Sequence, residues 1–259
     1  MTTEGWLYWS LGIAGTYVLG GIPFGLLIGF AKGVDIRQHG SKNIGSANAG
    51  RTLGRKFGVL TFILDFAKGF TPVLVSGFLL GTIARQDVEP GLACLWLAFG
   101  VAAFVGHLAS PWLKFKGGKG VATGFGVVVG VFPMLTLPAL AAILTWLISV
   151  RITRYIGLSS CFAAISLPVF LLVLVPVSRA IGLFVPRERI PGAVLSDVPI
   201  WNLWPFAILA LLIAISVVAR HSSNIARMLN GTEPKVKTKQ ERQAAAAAAA
   251  TASAAAATH

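Results

Sequence analysis

Long uninterrupted apolar stretches dominate this chain and limit what it can fold into. They lie near residues 6–31, 57–83, 91–113, 120–133, 137–152, 159–178 and 202–219. About 20 apolar residues in a helix match the ~30 Å hydrocarbon core of a bilayer, and a helix satisfies its own backbone polar groups in lipid. With 55% apolar and 12% charged residues, the sequence predicts an all-α integral membrane protein of about seven transmembrane helices.

The stretch 120–152 is the ambiguous part of this prediction. As one helix it would be ~50 Å long, which exceeds the thickness of the hydrocarbon core. Pro133 and Pro138 indicate a break within it. We therefore interpret it as two short crossings.

The distribution of charge predicts the orientation. With two crossings in 120–152, one set of loops carries 17 basic and three acidic residues, whereas the opposite set has a net charge near zero. Because basic residues accumulate in cytoplasmic loops, the N-terminus is expected outside and the C-terminus in the cytoplasm. The basic segments are 31–56, 113–119, 151–158 and 220 onward.

This topology explains most of the formal net charge of +13. Nucleic-acid binding is not expected, because the charge is dispersed among membrane spans. We expect residues 1–234 to form a single transmembrane domain and 235–259 a flexible tail, first basic and then alanine-rich. Residues 179–200 are expected to form an external loop with no assigned chemistry, and the chain is expected to act as a monomer.

Several conspicuous residues have structural explanations. Gly21, Gly25 and Gly29 are four residues apart and predict a flat stripe on one helix face. Asp65 and Lys68 are three apart and predict an ion pair inside a helix. The two cysteines, Cys94 and Cys161, lie in apolar runs, so we expect neither a disulfide nor a zinc site.

Polar residues at the cytoplasmic ends of the predicted helices are better candidates for chemistry. Residues 40–51, GSKNIGSANAGR, combine small residues with Ser, Asn and Arg donors suited to an anion. Residues 115–120, FKGGKG, follow Gly106-His107 and lead into an apolar helix. Glycines before a helix N-terminus favour phosphate, and Lys116 and Lys119 supply countercharge.

Two further segments lie at the same ends, residues 154–160 (RYIGLSS) and 220–233 (RHSSNIARMLNGTE). The chain has only nine acidic residues, and they form no cluster of the kind that holds two metal ions. No histidine is followed five residues later by aspartate, so the His-x4-Asp dyad of the soluble-facing glycerolipid acyltransferases is missing. We expect phosphate-rich substrates, no cofactor and no metal.

Together, the segments 40–51, 106–123 and 221–233 resemble the PlsY family, the acyl-phosphate:glycerol-3-phosphate acyltransferases. The resemblance extends over residues 40–234. It implies a seven-span enzyme of the bacterial inner membrane with a cytoplasmic active site. Such an enzyme transfers a fatty acyl group from acyl phosphate to the 1-hydroxyl of glycerol 3-phosphate, which gives lysophosphatidic acid and phosphate.

The resemblance also implies roles for individual residues. The implied catalytic residues are Ser41, Asn43, Arg51, Lys116, His221 and Asn224. The implied phosphate-binding residues are Gly117, Gly118, Lys119, Gly120 and Ser160, and the supporting residues are His107, Asn48 and Glu233. The sequence departs from the family pattern at Lys42, at 45–48, and at Gly157, where the family tends to have a serine, so that a serine donor is either lost there or supplied by Ser159 or Ser160.

Acyl phosphate is already activated, so we expect direct transfer in which a substrate phosphate oxygen takes the hydroxyl proton. His107 or His221 as general base is the alternative. A transporter for an organic phosphate is the competing function, although the chain shows no internal repeat of the kind that carriers have.

Overall fold

The computed structural model describes residues 3–181, 183, 200–236, 238, 240–241 and 243–244. These residues form ten α-helices and short 3-10 turns, and no strand occurs among them. The helices are α1 (Thr3–Gly21), α2 (Phe24–Phe30), α3 (Ser46–Thr52), α4 (Arg55–Leu79), α5 (Pro90–Leu108), α6 (Val121–Gly130), α7 (Thr136–Thr153), α8 (Ile156–Ala180), α9 (Trp204–Arg220) and α10 (Ser222–Leu229).

Five helices of the described part are long and apolar enough to cross a membrane, namely α4, α5, α7, α8 and α9. The pair α1 and α2 adds a sixth candidate if it counts as one span bent by 44°. The all-helical membrane architecture predicted from the apolar runs is therefore confirmed. α6 has ten residues, or ~15 Å, and is too short to cross a hydrocarbon core alone.

The single helix predicted for residues 6–31 is wrong, because the chain breaks at Ile22 and Pro23. Pro23 has no N–H, and the Ile22 carbonyl accepts from the Nζ of Lys68 at 2.7 Å and from Phe24 N at 3.1 Å. The predicted glycine stripe therefore does not lie on one helix. Gly25 instead allows a backbone contact, since a Cβ there would lie 2.1 Å from the Ile44 carbonyl oxygen.

The break predicted within 120–152 is confirmed, since α6 ends at Gly130 and α7 begins at Thr136. α6 packs against the middle of α4, where a Cβ on Gly69 would lie 2.3 Å from the Thr123 carbonyl oxygen. Gly69 follows the first residue of α4, Arg55, by 14 positions, which is about 21 Å of helix. The start of α6 is therefore recessed from that end of the molecule.

Contacts place three of the basic segments at one end. The Nζ of Lys119 donates to the side chain of Asn224, and the N–H of Val236 donates to the Arg154 carbonyl at 2.8 Å. The connection from α6 to α7 meets a different loop, where Ala84 N donates to the Phe132 carbonyl at 3.3 Å. Residues 120–152 thus run away from the basic end and return to it.

The first residues of the predicted tail are held at that end. Lys235 lies over the Tyr155 ring, with Nζ 5.4 Å from its centroid. Arg154 Nε donates to the Val236 carbonyl at 2.9 Å, and its guanidinium pairs with Glu241. This part is therefore attached to the α7–α8 junction, whereas most of the tail and most of the predicted loop 179–200 lie outside the described residues.

Candidate active site

The glycines of the loop 114–120 are explained first by packing against the end of α5. Gly117 N donates to the Leu108 carbonyl and Gly118 N to the His107 carbonyl, each at 3.1 Å. A Cβ on Gly117 would lie 2.0 Å from the His107 carbonyl oxygen, and one on Gly118 would lie 2.3 Å from the imidazole Nε2 of His107. Both of these N–H groups, which the sequence predicts to cradle phosphate, therefore already donate within the protein.

The N–H groups that remain available lie slightly further along the chain. Within the described residues, no hydrogen bond uses the backbone N–H groups of 119–123. Gly120 enters α6 at a φ of +81°, and a Cβ there would lie 2.5 Å from the Phe104 ring. The start of α6 therefore keeps the free N–H groups and the dipole that favour an anion.

Lys119 supplies a cation beside this helix start. It is half-buried, and its Nζ donates to Oδ1 of Asn224. Burial, followed by the charge of Arg227, lowers the pKa of Lys119 to about 8, and Arg51 acts in the same direction. An anion bound there would relieve this repulsion between cations.

Asn224 and Arg227 of α10 are held by one buried carboxylate. Glu233, 7% exposed, accepts from Asn224 Nδ2 at 2.7 Å and from Arg227 Nε at 2.8 Å. Gly157 of α8 makes room for Asn224, since a Cβ there would lie 3.0 Å from Asn224 Nδ2. Glu233 thus fixes the amide that contacts Lys119.

His221 joins α9 to α10 and is buried. Its Nδ1 lies 2.7 Å from the Val217 carbonyl oxygen, which fits an Nδ1–H donor and leaves Nε2 unprotonated. Burial and the charge of Lys119 lower the pKa of His221 to about 4. The side chain is therefore neutral at pH 7 and a weak base.

The polar loop of residues 36–45 is held in shape by Asn48, which is 1% exposed. Its Nδ2 donates to the carbonyls of Ile36 and Asn43 at 2.8 Å each, and its Oδ1 accepts from Ser41 N at 2.8 Å. Asn43 Oδ1 accepts from Gly45 N at 2.9 Å. Asn48 is thus a loop-positioning residue.

Arg51 lies in the last turn of α3, with its side chain exposed. α3 packs closely on α4, because a Cβ on Gly58 would lie only 2.6 Å from the Cα of Gly50. The effect of Arg51 on the pKa of Lys119 places the two cations within electrostatic reach. Three chain segments therefore direct positive charge to one region.

No hydrogen bond among the described residues joins Lys119, Asn224 or Arg227 to four of the predicted site residues, namely Ser41, Asn43, Lys116 and Ser160. The hydroxyl of Ser160 donates to the Ile156 carbonyl at 2.9 Å and accepts from Trp146 Nε1 at 3.3 Å, so it is engaged between α7 and α8. It does not supply the missing family serine in this structure. Lys116 is exposed, and its side chain makes no hydrogen bond or ion pair with any described residue, while its backbone N–H donates to the Leu113 carbonyl at 3.0 Å.

Arg227 was missing from the predicted site, and the contact of Arg220 with the end of α5 was not predicted either. Arg227 lies three residues after Asn224, so the two share a helix face, and this spacing was visible in the sequence. Arg220 donates from Nη2 to the Leu108 carbonyl, the group that also accepts from Gly117. That contact joins distant parts of the chain, and sequence spacing carries no signal for it.

The assembled site has Lys119, Arg227 and Arg51 as cations, Asn224 as an amide, and the free N–H groups at the start of α6. Donors of this kind bind phosphate and stabilise negative charge that develops on oxygen. Among the described residues, no three side chains of His, Cys, Asp or Glu come together as metal ligands.

Several known proteins are similar to this chain in sequence. The family model "Glycerol-3-phosphate acyltransferase" matches residues 10–231. A protein of that name from Desulforamulus reducens is 38% identical over 88% of this chain and 95% of its own length. Another from Geotalea daltonii is 41% identical, covering 85% of this chain and 94% of the relative.

Two solved structures are similar to this fold. One is the glycerol 3-phosphate form of PlsY, described as an integral membrane glycerol 3-phosphate acyltransferase, with a TM-score of 0.70 and 34% identity over 90% of this chain and 98% of that one. The other is its lysophosphatidic acid form, with a TM-score of 0.68 and 34% identity over 89% of this chain and 96% of that one. The resemblance to the PlsY family is confirmed, and the chain belongs to the glycerol-3-phosphate acyltransferases.

Proposed function

We propose that this protein transfers a fatty acyl group from acyl phosphate to the 1-hydroxyl of glycerol 3-phosphate, giving lysophosphatidic acid and phosphate without a metal ion. It acts as a multi-pass protein of the bacterial inner membrane, and its site faces the cytoplasm. Membership of the family supports the acyl acceptor. The donor and the chemistry are argued from the site.

The observation that carries this proposal is the position of Lys119. Its ammonium lies at the free start of α6 and is oriented by Asn224, which Glu233 holds in place. A substrate phosphate there meets a cation, backbone N–H groups and the field of Arg227 and Arg51. Both substrates carry phosphate. The same cations and N–H groups can therefore bind the acyl acceptor, glycerol 3-phosphate, and stabilise the phosphate that leaves the acyl donor.

Proton transfer in the reaction needs no protein base. The hydroxyl oxygen attacks the acyl carbonyl carbon, the bond from that carbon to the phosphate oxygen breaks, and the phosphate leaves with the hydroxyl proton. The carboxylate of Glu233 already accepts two hydrogen bonds. His221, with its pKa lowered to about 4, is a poor proton acceptor at neutral pH. A substrate phosphate oxygen is therefore the proposed acceptor.

The proposed topology has seven crossings, one of them made by the short α6 together with the segments that flank it, and it places the N-terminus outside and the C-terminus in the cytoplasm. The meeting of Lys119 with Asn224 and of Arg154 with Val236 supports an even number of crossings between the loops 114–120 and 151–158. Since all the cations of the site come from one chain, a monomer is sufficient for activity.

The test is direct. Purified protein in detergent receives glycerol 3-phosphate with acyl phosphate, or with an acyl thioester instead, and lysophosphatidic acid and free phosphate are measured. We expect equimolar products from acyl phosphate and no lysophosphatidic acid from the thioester. Equal use of the thioester would overturn the proposed donor, and no product from either would overturn the proposed function.

A second experiment addresses the proton acceptor. His221→Gln is expected to keep the shape of the pH profile of kcat between pH 5 and 8, even if the rate falls. Loss of an acidic limb that the unmodified protein possesses would assign the proton transfer to His221 instead.

A further inference from the structure

Three ionisable side chains lie buried together beside the loop 114–120. Asp65 and Lys68 of α4 are 2% and 3% exposed, and His107 of α5 is 4% exposed. Lys68 Nζ lies 2.7 Å from Asp65 Oδ1, so the ion pair predicted from their spacing is confirmed. Buried charges of this kind in a membrane protein mark either a structural or a functional site.

Lys68 has a structural task in this cluster. Its Nζ also donates to the Ile22 carbonyl, at the break between α1 and α2. A helix break within a membrane removes regular helical hydrogen bonds, which lipid cannot replace, and the ammonium gives the Ile22 carbonyl a second hydrogen bond beside the one from Phe24 N at 3.1 Å. The ion pair with Asp65 therefore compensates the charge that stabilises the break.

His107 connects this pair to the loop. Its Nδ1 lies 3.8 Å from Asp65 Oδ1, and its Nε2 lies on the other side of the ring, against Gly118. A Cβ on Gly118 would lie only 2.3 Å from that Nε2. The backbone of His107 also contacts Gly118, because the His107 carbonyl accepts a hydrogen bond from Gly118 N at 3.1 Å. The ring is thus enclosed between the carboxylate and the loop.

We propose that His107 is a positioning residue. Its imidazole, which packs between the Asp65 carboxylate and the loop, sets the location of Gly118, and through Gly118 the location of Lys119 and the start of α6. The inference rests on the proposed function, because its effect is on substrate phosphate. It gives a specific reason for glycine at 118: the residue must leave room for the ring.

This role predicts a kinetic signature. Glycerol 3-phosphate keeps its phosphate throughout the reaction, so a displaced loop weakens its binding in ground and transition states alike and raises KM. A misplacement of about 1 Å can cost up to ~100-fold. A purely structural cluster would instead reduce the fraction of folded protein and leave the KM of the folded fraction unchanged.

The test is steric complementation in the full-length protein. Gly118→Ala, His107→Ala and the double variant are assayed for KM, kcat and Tm, with His107→Gln as a background that keeps a long side chain. Gly15→Ala is the control, because a Cβ at that glycine would meet nothing within 4 Å. If His107→Ala does not fold, His107→Asn replaces it as the background with a side chain shorter than histidine.

We expect Gly118→Ala to raise the KM for glycerol 3-phosphate about tenfold or more in the unmodified and His107→Gln backgrounds, and less than about threefold in His107→Ala. An equal increase in all backgrounds would overturn the proposal, as would variants that change Tm with KM intact. If the unmodified protein makes no lysophosphatidic acid, the proposed function fails instead. An active protein without this coupling refutes the positioning role alone.

Discussion

The ammonium of Lys119 lies in the site and loses its proton closer to neutral pH than an ordinary lysine. Burial and the charge of Arg227 lower its pKa to about 8. Below that pH the group is a cation and attracts substrate phosphate, and above it the group is neutral. Binding of glycerol 3-phosphate should therefore weaken as the pH rises through about 8.

The magnitude follows from the charged fraction. With a pKa of about 8, roughly nine tenths of the free protein carries the Lys119 charge at pH 7 and about one tenth at pH 9. The second pKa of a phosphate ester is about 6, so the substrate charge hardly changes in this range. A charged hydrogen bond contributes about 1.5–3 kcal/mol, enough to make the charged form dominate binding. We expect kcat/KM for glycerol 3-phosphate to fall about tenfold from pH 7 to pH 9.

The assay measures lysophosphatidic acid at saturating acyl phosphate from pH 6.5 to 9.5, with spontaneous hydrolysis of the donor subtracted. Lys119→Arg keeps its charge over this range and should lack the fall, whatever its absolute rate. Lys56→Arg, at an exposed position of α4, is the matched control and should retain it. The same alkaline fall in Lys119→Arg would refute the assignment of this titration to Lys119.

Three further outcomes are expected. Gly157→Ser should lower kcat/KM about tenfold, because its Cβ would lie 3.0 Å from Asn224 Nδ2; unchanged kinetics would show that Asn224 tolerates the family's serine. Glu233→Gln should lower Tm in detergent by several degrees, because the two donors use different carboxylate oxygens and glutamine replaces one of these oxygens with an NH2 group, a loss of about 1–3 kcal/mol. An unaltered Tm would contradict this. In a cysteine-free background, an impermeant thiol reagent added to intact cells should label a cysteine at Asp87 and spare one at Lys114, and the reverse pattern would overturn the proposed orientation.

The long helices were predictable because their signal is local. The apolar run near 91–113 corresponds to α5 and its following turn, and the run near 202–219 corresponds to α9. The break at Ile22 was missed although Pro23 stands at it, because the apolar residues continue on both sides. Continuity of hydrophobicity identifies a membrane segment and does not establish that one straight helix crosses it.

The site was predictable in its residue types and less so in its contacts. Lys119 and Asn224 were predicted from their motifs and do meet, whereas Ser160 was assigned to phosphate and contacts Trp146 instead. The glycines at 117 and 118 suggested a cradle of N–H groups, but their neighbours on α5 use those groups. A glycine in a sequence indicates that another group comes close to the backbone. Whether that group is a ligand or another part of the protein depends on tertiary packing, which the sequence does not show.

The short helix α6 accounts for the place of the site. Because Thr123 packs at Gly69, the start of α6 lies about 21 Å along α4 from Arg55, among helices rather than beyond their ends. Unpaired N–H groups at that depth are tolerated where protein or a polar cavity surrounds them, and here Lys119 and Asn224 lie beside them. An acyl chain is soluble in lipid and glycerol 3-phosphate in water. If the proposed orientation holds, a head group bound by these cations from the cytoplasm would meet an acyl donor whose chain remains in the bilayer.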